Sequence, residues 1–114
     1  MSTRSVGSAA EARAAAFLVA RGYRVVATNV AFKRGELDLV CEADGHLCFV
    51  EVRSRAHVRL GRPEETIDRR KQRRIAHAAE MYLLRHPTTK PCRFDVVAIV
   101  GDEEPLLIRD AFRL

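Results

Sequence analysis

The chain has 114 residues, of which 47% are apolar and 31% charged, with a formal net charge of +5 and a pI near 9.6. That length fits one domain over 1–114 with a modest core. No apolar run approaches the ~20 residues that cross a bilayer, and the stretch 14–20 is too short for a cleaved leader, so a cytoplasmic protein with no membrane partner is expected.

Cys41, Cys48 and Cys92 form no C-x-x-C pair. They read as buried free thiols of a reducing compartment rather than zinc ligands.

The first element in chain order is a helix from Ser8 to Gly22, with Ala10, Ala14, Phe17, Leu18 and Arg21 on one stripe. Ser8 and Glu11 have the spacing of a capping box. Tyr23 to Asn29 reads as a strand, and Lys33-Arg34-Gly35 as a turn. Leu37, Leu39 and Cys41 then alternate with Glu36, Asp38 and Val40, the period of a second strand. Asp44-Gly45 signals a two-residue hairpin, with a return strand from Leu47 to Arg53. A loop holding Gly61 and Pro63 follows. A second helix is expected from about Asp68 to His86, stopped by Pro87, with Ile75, Ala79, Tyr82 and Leu83 inward. Phe94 to Val100 reads as a central strand covered on both faces, and Leu106 to Ile108 as a short last strand.

The order is α-β-β-β-α-β-β. It predicts an α/β protein with a mixed central sheet of about five strands flanked by two helices. The helix between the third and fourth strands predicts that those two run parallel.

If Asp44 and Gly45 form the whole hairpin loop, residues whose numbers sum to 89 lie opposite one another. Leu39 then faces Val50, Leu37 faces Val52 and Cys41 faces Cys48 on one apolar side. On the other side Asp38 faces Glu51, and Glu36 faces Arg53. Like charges across a ladder repel. A divalent cation reconciles them, because Mg²⁺ or Mn²⁺ takes hard oxygen ligands and keeps room for water and phosphate. The alternative is a wet outer face, with Asp38 paired to Lys33 or Arg34 and Glu51 to Arg53. Leu47 and Phe49 share the carboxylate face and speak against it.

Glu11 is a further candidate acid, and the capping box is its competing explanation. Lys71 stands at the edge of the second helix's apolar stripe, within reach of a phosphate, with Gln72 as a polar neighbour. Between Arg53 and Arg74 nine Lys/Arg (53, 55, 59, 62, 69, 70, 71, 73 and 74) stand against three acids. Such a stretch favours a polyanion; it also describes a solvated helix face. Arg55, Arg69, Arg70, Arg73 and Arg74 suit backbone phosphates, which position a nucleic acid without reading its sequence. The four histidines show no ligand spacing, and no nucleophile elbow or Gly-rich phosphate loop occurs.

The segments Gly35-Glu36-Leu37-Asp38-Leu39-Val40 and Phe49-Val50-Glu51-Val52-Arg53 resemble the core of the PD-(D/E)XK nucleases. More closely, the chain resembles the YraN-like bacterial proteins of uncharacterised protein family 0102. That likeness rests on Gly7, Glu11 and Ala14, on Arg62-Pro63-Glu64 and Lys71-Gln72, and on Arg93 to Ala98 and Asp110-Ala111-Phe112. It implies a restriction-endonuclease-like fold like that of archaeal Holliday-junction resolvases, and a metal-dependent endonuclease acting on nucleic acid, DNA more than RNA. Asp38 and Glu51 would ligate the cation with the Val52 carbonyl, and Glu11 would be an accessory acid. Resolvases cut as dimers, so a homodimer is a further expectation.

Arg53 stands where the superfamily carries lysine. Guanidinium clamps phosphate charge but cannot act as a base. Three outcomes stay open: Arg53 is an electrostatic clamp, Lys71 takes the lysine's role, or the site binds without cutting. A binding module or a protein-interaction scaffold are therefore the rival functions.

Overall fold

The computed structural model describes residues 5–113, with side chains from residue 9 onward. The elements are α1 (Ser5–Ala20), β1 (Arg24–Phe32), β2 (Gly35–Ala43), β3 (His46–Arg55), a 3-10 turn (Pro63–Thr66), α2 (Arg69–Arg85), β4 (Cys92–Val100) and β5 (Leu106–Phe112). The strands form one mixed sheet in the order β1-β2-β3-β4-β5. The β3–β4 pair is parallel and the other three pairs are antiparallel. This is the α/β architecture that the sequence pattern predicts.

Local chemistry fixes the key junctions. Asp44 (φ 53°) and Gly45 (φ 73°) are both left-handed, the backbone a two-residue hairpin turn demands. The observed ladder, from Ala43 opposite His46 to Leu39 opposite Val50, has the expected sum of 89. Asp68 caps α2 by accepting the Lys71 N–H at 2.9 Å.

Three boundaries differ from the sequence reading by three residues or more. Helix α1 begins at Ser5, so Ser8 is inside it and does not start it; the Ser8 side chain lies outside the described ones. Strand β1 passes through Asn29 (φ 51°) to Phe32, because pairing with β2 resumes at Val30 opposite Leu37. Strand β5 likewise passes through Asp110 (φ 52°) to Phe112, whose ring stacks on Phe94 at 4.8 Å.

Each face of the sheet has its own core. On the α1 side, Ala14, Phe17 and Leu18 pack with Leu39, Cys41, Cys48, Val50 and Val52. On the α2 side, Ile75, Ala79 and Tyr82 pack with Val40, Leu47, Phe49 and Val96. Leu37 corrects one expectation. The period of two puts it on the same face as Leu39 and Val52, yet it packs in the α2-side core. Strand β2 swings away from β3 beyond Leu39 and carries Leu37 across. Cys92 is a second correction: it is exposed, whereas Cys41 and Cys48 are buried.

Candidate functional site

The place where β2 leaves β3 is the place where the two carboxylates meet. The sum of 89 would next pair Leu37 with Val52, but the ladder stops at Leu39 and Val50. The Val52 N–H donates instead to Asp38 Oδ2 at 2.9 Å. Within an extended strand the N–H and C=O of one residue point toward the same neighbour. The Val52 carbonyl therefore also faces the gap opened by β2.

Glu51 is only 4% exposed. The Asp38 carboxyl stands beside it, and the two charges act on one another. Burial first, and the Asp38 charge second, push Glu51 well above the usual carboxylate range. Burial also raises Asp38, against the opposing pull of the Val52 N–H and of Arg53. Arg53 is the near cation: its Nη2 lies 3.6 Å from Glu51 Oε1, an ion pair as the alternative reading expects, but too long for a hydrogen bond. Arg53 Nε is buried and has no acceptor among the described residues.

These groups line a cleft of ≈ 770 Å³. One wall is the β1–β2 turn with Lys33, Arg34, Gly35 and Glu36; the other is α2 with Lys71, Arg74 and Ile75. The walls touch at Gly35, where an added Cβ would sit 2.5 Å from the Arg74 carbonyl oxygen. A glycine is needed for so close an approach. Acid lies at the base of the cleft and cations at its rim, an arrangement suited to a cation below a phosphate.

The sequence-predicted residues divide accordingly. Asp38, Glu51, Arg53, Lys71 and Arg74 are brought together. Glu36 also lines the cleft, but it pairs with Ala31 of β1 and is not in register with Arg53. Glu11 lines a separate hollow with Ala12, Thr28, Asn29 and Leu39. Among the described residues no three His, Cys, Asp or Glu side chains gather, so Glu11 does not complete a trio with Asp38 and Glu51.

Arg69 and Arg73 border another hollow, beside His77 and Glu80. Arg70 is exposed. Arg55 is engaged with its own chain, donating to the carbonyls of Leu60 and Gly61 at 3.1 and 3.3 Å. Gln72 turns back to the Ile67 carbonyl. Lys33 and Arg34 carry only a turn signal in the sequence; their place on the cleft follows from Gly35, which lets the turn lie against α2.

The buried thiols offer no nucleophile, since burial pushes Cys41 up to about 12 and Cys48 up to about 11.

The model of the family described as Uncharacterised protein family UPF0102 matches residues 10–99. The chain belongs to UPF0102. A UPF0102 protein of Symbiobacterium thermophilum is 49% identical over 98 residues, covering 85% of this chain and 83% of that one. A UPF0102 protein of Lachnoclostridium phytofermentans is 45% identical over 114 residues, covering 98% and 96%. One from Xanthomonas campestris pv. campestris is 49% identical over 112 residues, covering 95% and 91%. In this UPF0102 chain both motif segments, 35–40 and 49–53, lie within the matched region.

Proposed function

We propose that this UPF0102 protein is a divalent-cation-dependent nuclease of the PD-(D/E)XK superfamily, with a restriction-endonuclease-like fold, that hydrolyses phosphodiester bonds of nucleic acid, DNA before RNA. The observation that carries this reading is the pairing of buried Glu51 with half-buried Asp38 at the base of the cleft, with Glu51 held well above the usual carboxylate range and Arg53 no nearer to it than 3.6 Å. A buried carboxylate beside a half-buried one is costly unless a positive charge joins them.

The donor set fits Mg²⁺ or Mn²⁺: hard oxygens from Asp38 and Glu51, with the Val52 carbonyl facing the same gap. When bound there, such an ion supplies charge neutralisation at the scissile phosphate and acidifies water. The protein's own groups do the rest. The Val52 N–H holds the Asp38 carboxylate in one orientation. Arg53 offers Nε, and Lys71 and Arg74 offer cationic rim positions, to the phosphate oxygens. In the net reaction water adds to phosphorus and one P–O ester bond breaks, leaving a phosphomonoester and an alcohol. A cytoplasmic setting suits the two buried free thiols.

The test is nicking of supercoiled and branched DNA with Mg²⁺ or Mn²⁺, by the natural chain and by Glu51→Gln. Metal-dependent cleavage abolished in Glu51→Gln supports the nuclease. A second reading, a binding module of the same fold, draws on Arg53: lysine's place is filled by a larger, permanently charged group lying beside Glu51. Salt-sensitive binding with no cleavage under any divalent cation selects that module.

A further inference from the structure

Strand β3 carries Glu51 and Arg53 and runs on to Arg55, about 13 Å beyond Glu51 at the usual rise per residue. There the chain enters a loop, 56–62, with an unusual display. Leu60 is 85% exposed and Val58 45%. Single exposed apolar side chains are common on protein surfaces. What sets Leu60 apart is how firmly its backbone is held.

Arg55 donates to the carbonyls of Leu60 and Gly61. The Gly61 N–H closes a turn onto the Val58 carbonyl at 3.0 Å. Gly61 itself is left-handed, with φ 114°. Immediately after it, Pro63 is fully buried and the Arg62 N–H donates to Glu65 Oε1 at 3.3 Å. The loop is fixed at both ends, so its ordering cost is met before any partner arrives.

The tip chemistry selects the partner. Arg59 is exposed between Val58 and Leu60, whereas Arg55 holds the loop's own carbonyls and Arg62 is paired with Glu64 at 2.7 Å. A stable protein interface needs a wider apolar patch than two side chains give. An apolar prong beside an exposed arginine matches a nucleic acid, where the prong enters between bases and Arg59 takes an adjacent phosphate.

We infer that the 56–62 loop is a wedge whose Leu60 inserts at an unstacked step, making branched or distorted nucleic acid the preferred class of substrate. This role rests on the nucleic-acid reading above. Insertion is cheapest where stacking is already lost, at a branch, bulge or nick, so the wedge confers selectivity for such sites.

The experiment compares binding of a three-way-branched DNA and an intact duplex of equal length, in EDTA, by the natural chain, Leu60→Ala and Leu60→Met. Leu60→Ala is expected to lower the branched-to-intact affinity ratio about ten-fold, equivalent to about 1.4 kcal/mol of weaker apolar packing. Leu60→Met restores it. The chain has no tryptophan, so Leu60→Trp gives a direct signal: emission quenched by the branched DNA and not by the duplex. An unchanged ratio in Leu60→Ala, with both DNAs still bound, overturns the wedge alone. A natural chain that binds neither DNA overturns the nucleic-acid reading itself. A lower sedimentation coefficient in Leu60→Ala with an unchanged ratio overturns the wedge and gives the loop to an interface between copies of the chain.

Discussion

The Asp38 carboxylate accepts the Val52 N–H at 2.9 Å, the donor that regular pairing would give to Leu37. A side chain has replaced backbone in the ladder. The consequence is a fork between β2 and β3, with both acids at its root.

Removing charge from that root has opposite effects on stability and on activity. Above the pH at which Glu51 loses its proton, Glu51→Gln should raise the melting temperature of the metal-free protein by about 4 °C, or about 1 kcal/mol, since it deletes a buried charge and keeps the side chain's size. The same change should abolish Mn²⁺ binding by calorimetry. A lower melting temperature, or Mn²⁺ affinity that is retained, contradicts the pairing.

The raised Glu51 carboxyl sets a pH dependence. Glu51 keeps its proton in the folded chain to a pH well above the ordinary 4.5. From 4.5 up to that raised value the folded state binds more protons than the unfolded one. Its stabilising contribution is present below this window and is lost as pH rises through it. Denaturant midpoints in EDTA should therefore fall with rising pH across the window, and the slope should vanish in Glu51→Gln. Divalent-cation affinity should rise over the same interval, because the proton must leave first.

Arg53 tests the choice between cutting and holding. Arg53→Ala should lower any cleavage rate by about 10²-fold, the usual loss of one charge-stabilising donor. Arg53→Lys should retain the rate, as it keeps a cation beside Glu51. A faster Arg53→Ala would remove this group from the reaction.

Gly35 holds the cleft walls together. A methyl group there meets the Arg74 carbonyl oxygen at 2.5 Å and must push the β1–β2 turn off α2. Gly35→Ala should cost about 1–3 kcal/mol in thermal unfolding. It should also weaken nucleic-acid binding more than Lys33→Ala does alone. A neutral Gly35→Ala would mean that the walls are not locked.

The rim cations should appear in the salt dependence. Replacing any one of Lys33, Arg34, Lys71 or Arg74 by alanine should reduce the log–log slope of affinity against salt by about 1. Arg55→Ala should act on the loop it pins and leave that slope nearly unchanged. An equal slope change for all five would assign Arg55 to the rim as well.

Much of this is legible in the residues. Asp44-Gly45 alone fixes the hairpin register, and through it the meeting of Asp38 and Glu51. The nearly continuous apolar run at 94–100 marks an interior strand, which does lie parallel to β3. The fork is not legible. Alternation continues unbroken from Glu36 to Cys41, and nothing in a period of two reveals that one strand changes its partner midway. For that reason the pattern misplaces Leu37 and wrongly sets Glu36 opposite Arg53. The strand ends beyond Asn29 and Asp110 escape a sequence reading because a left-handed residue normally stops a strand. Here tertiary bonds carry the strand past it: the Asp110 N–H goes to Asp95 Oδ1 at 2.9 Å.

That bond reaches further than β5. Asp95 is completely buried, and it also accepts from Tyr23 at 2.6 Å and from Arg93 at 3.1 Å. Its donors come from before β1, from β4 itself and from within β5. A chain shortened to residue 109 would keep the first two and lose the third. The cost would fall on buried Asp95 of the interior strand β4 as well as on β5, so trimming this protein from its far terminus should undo it all at once and not strand by strand.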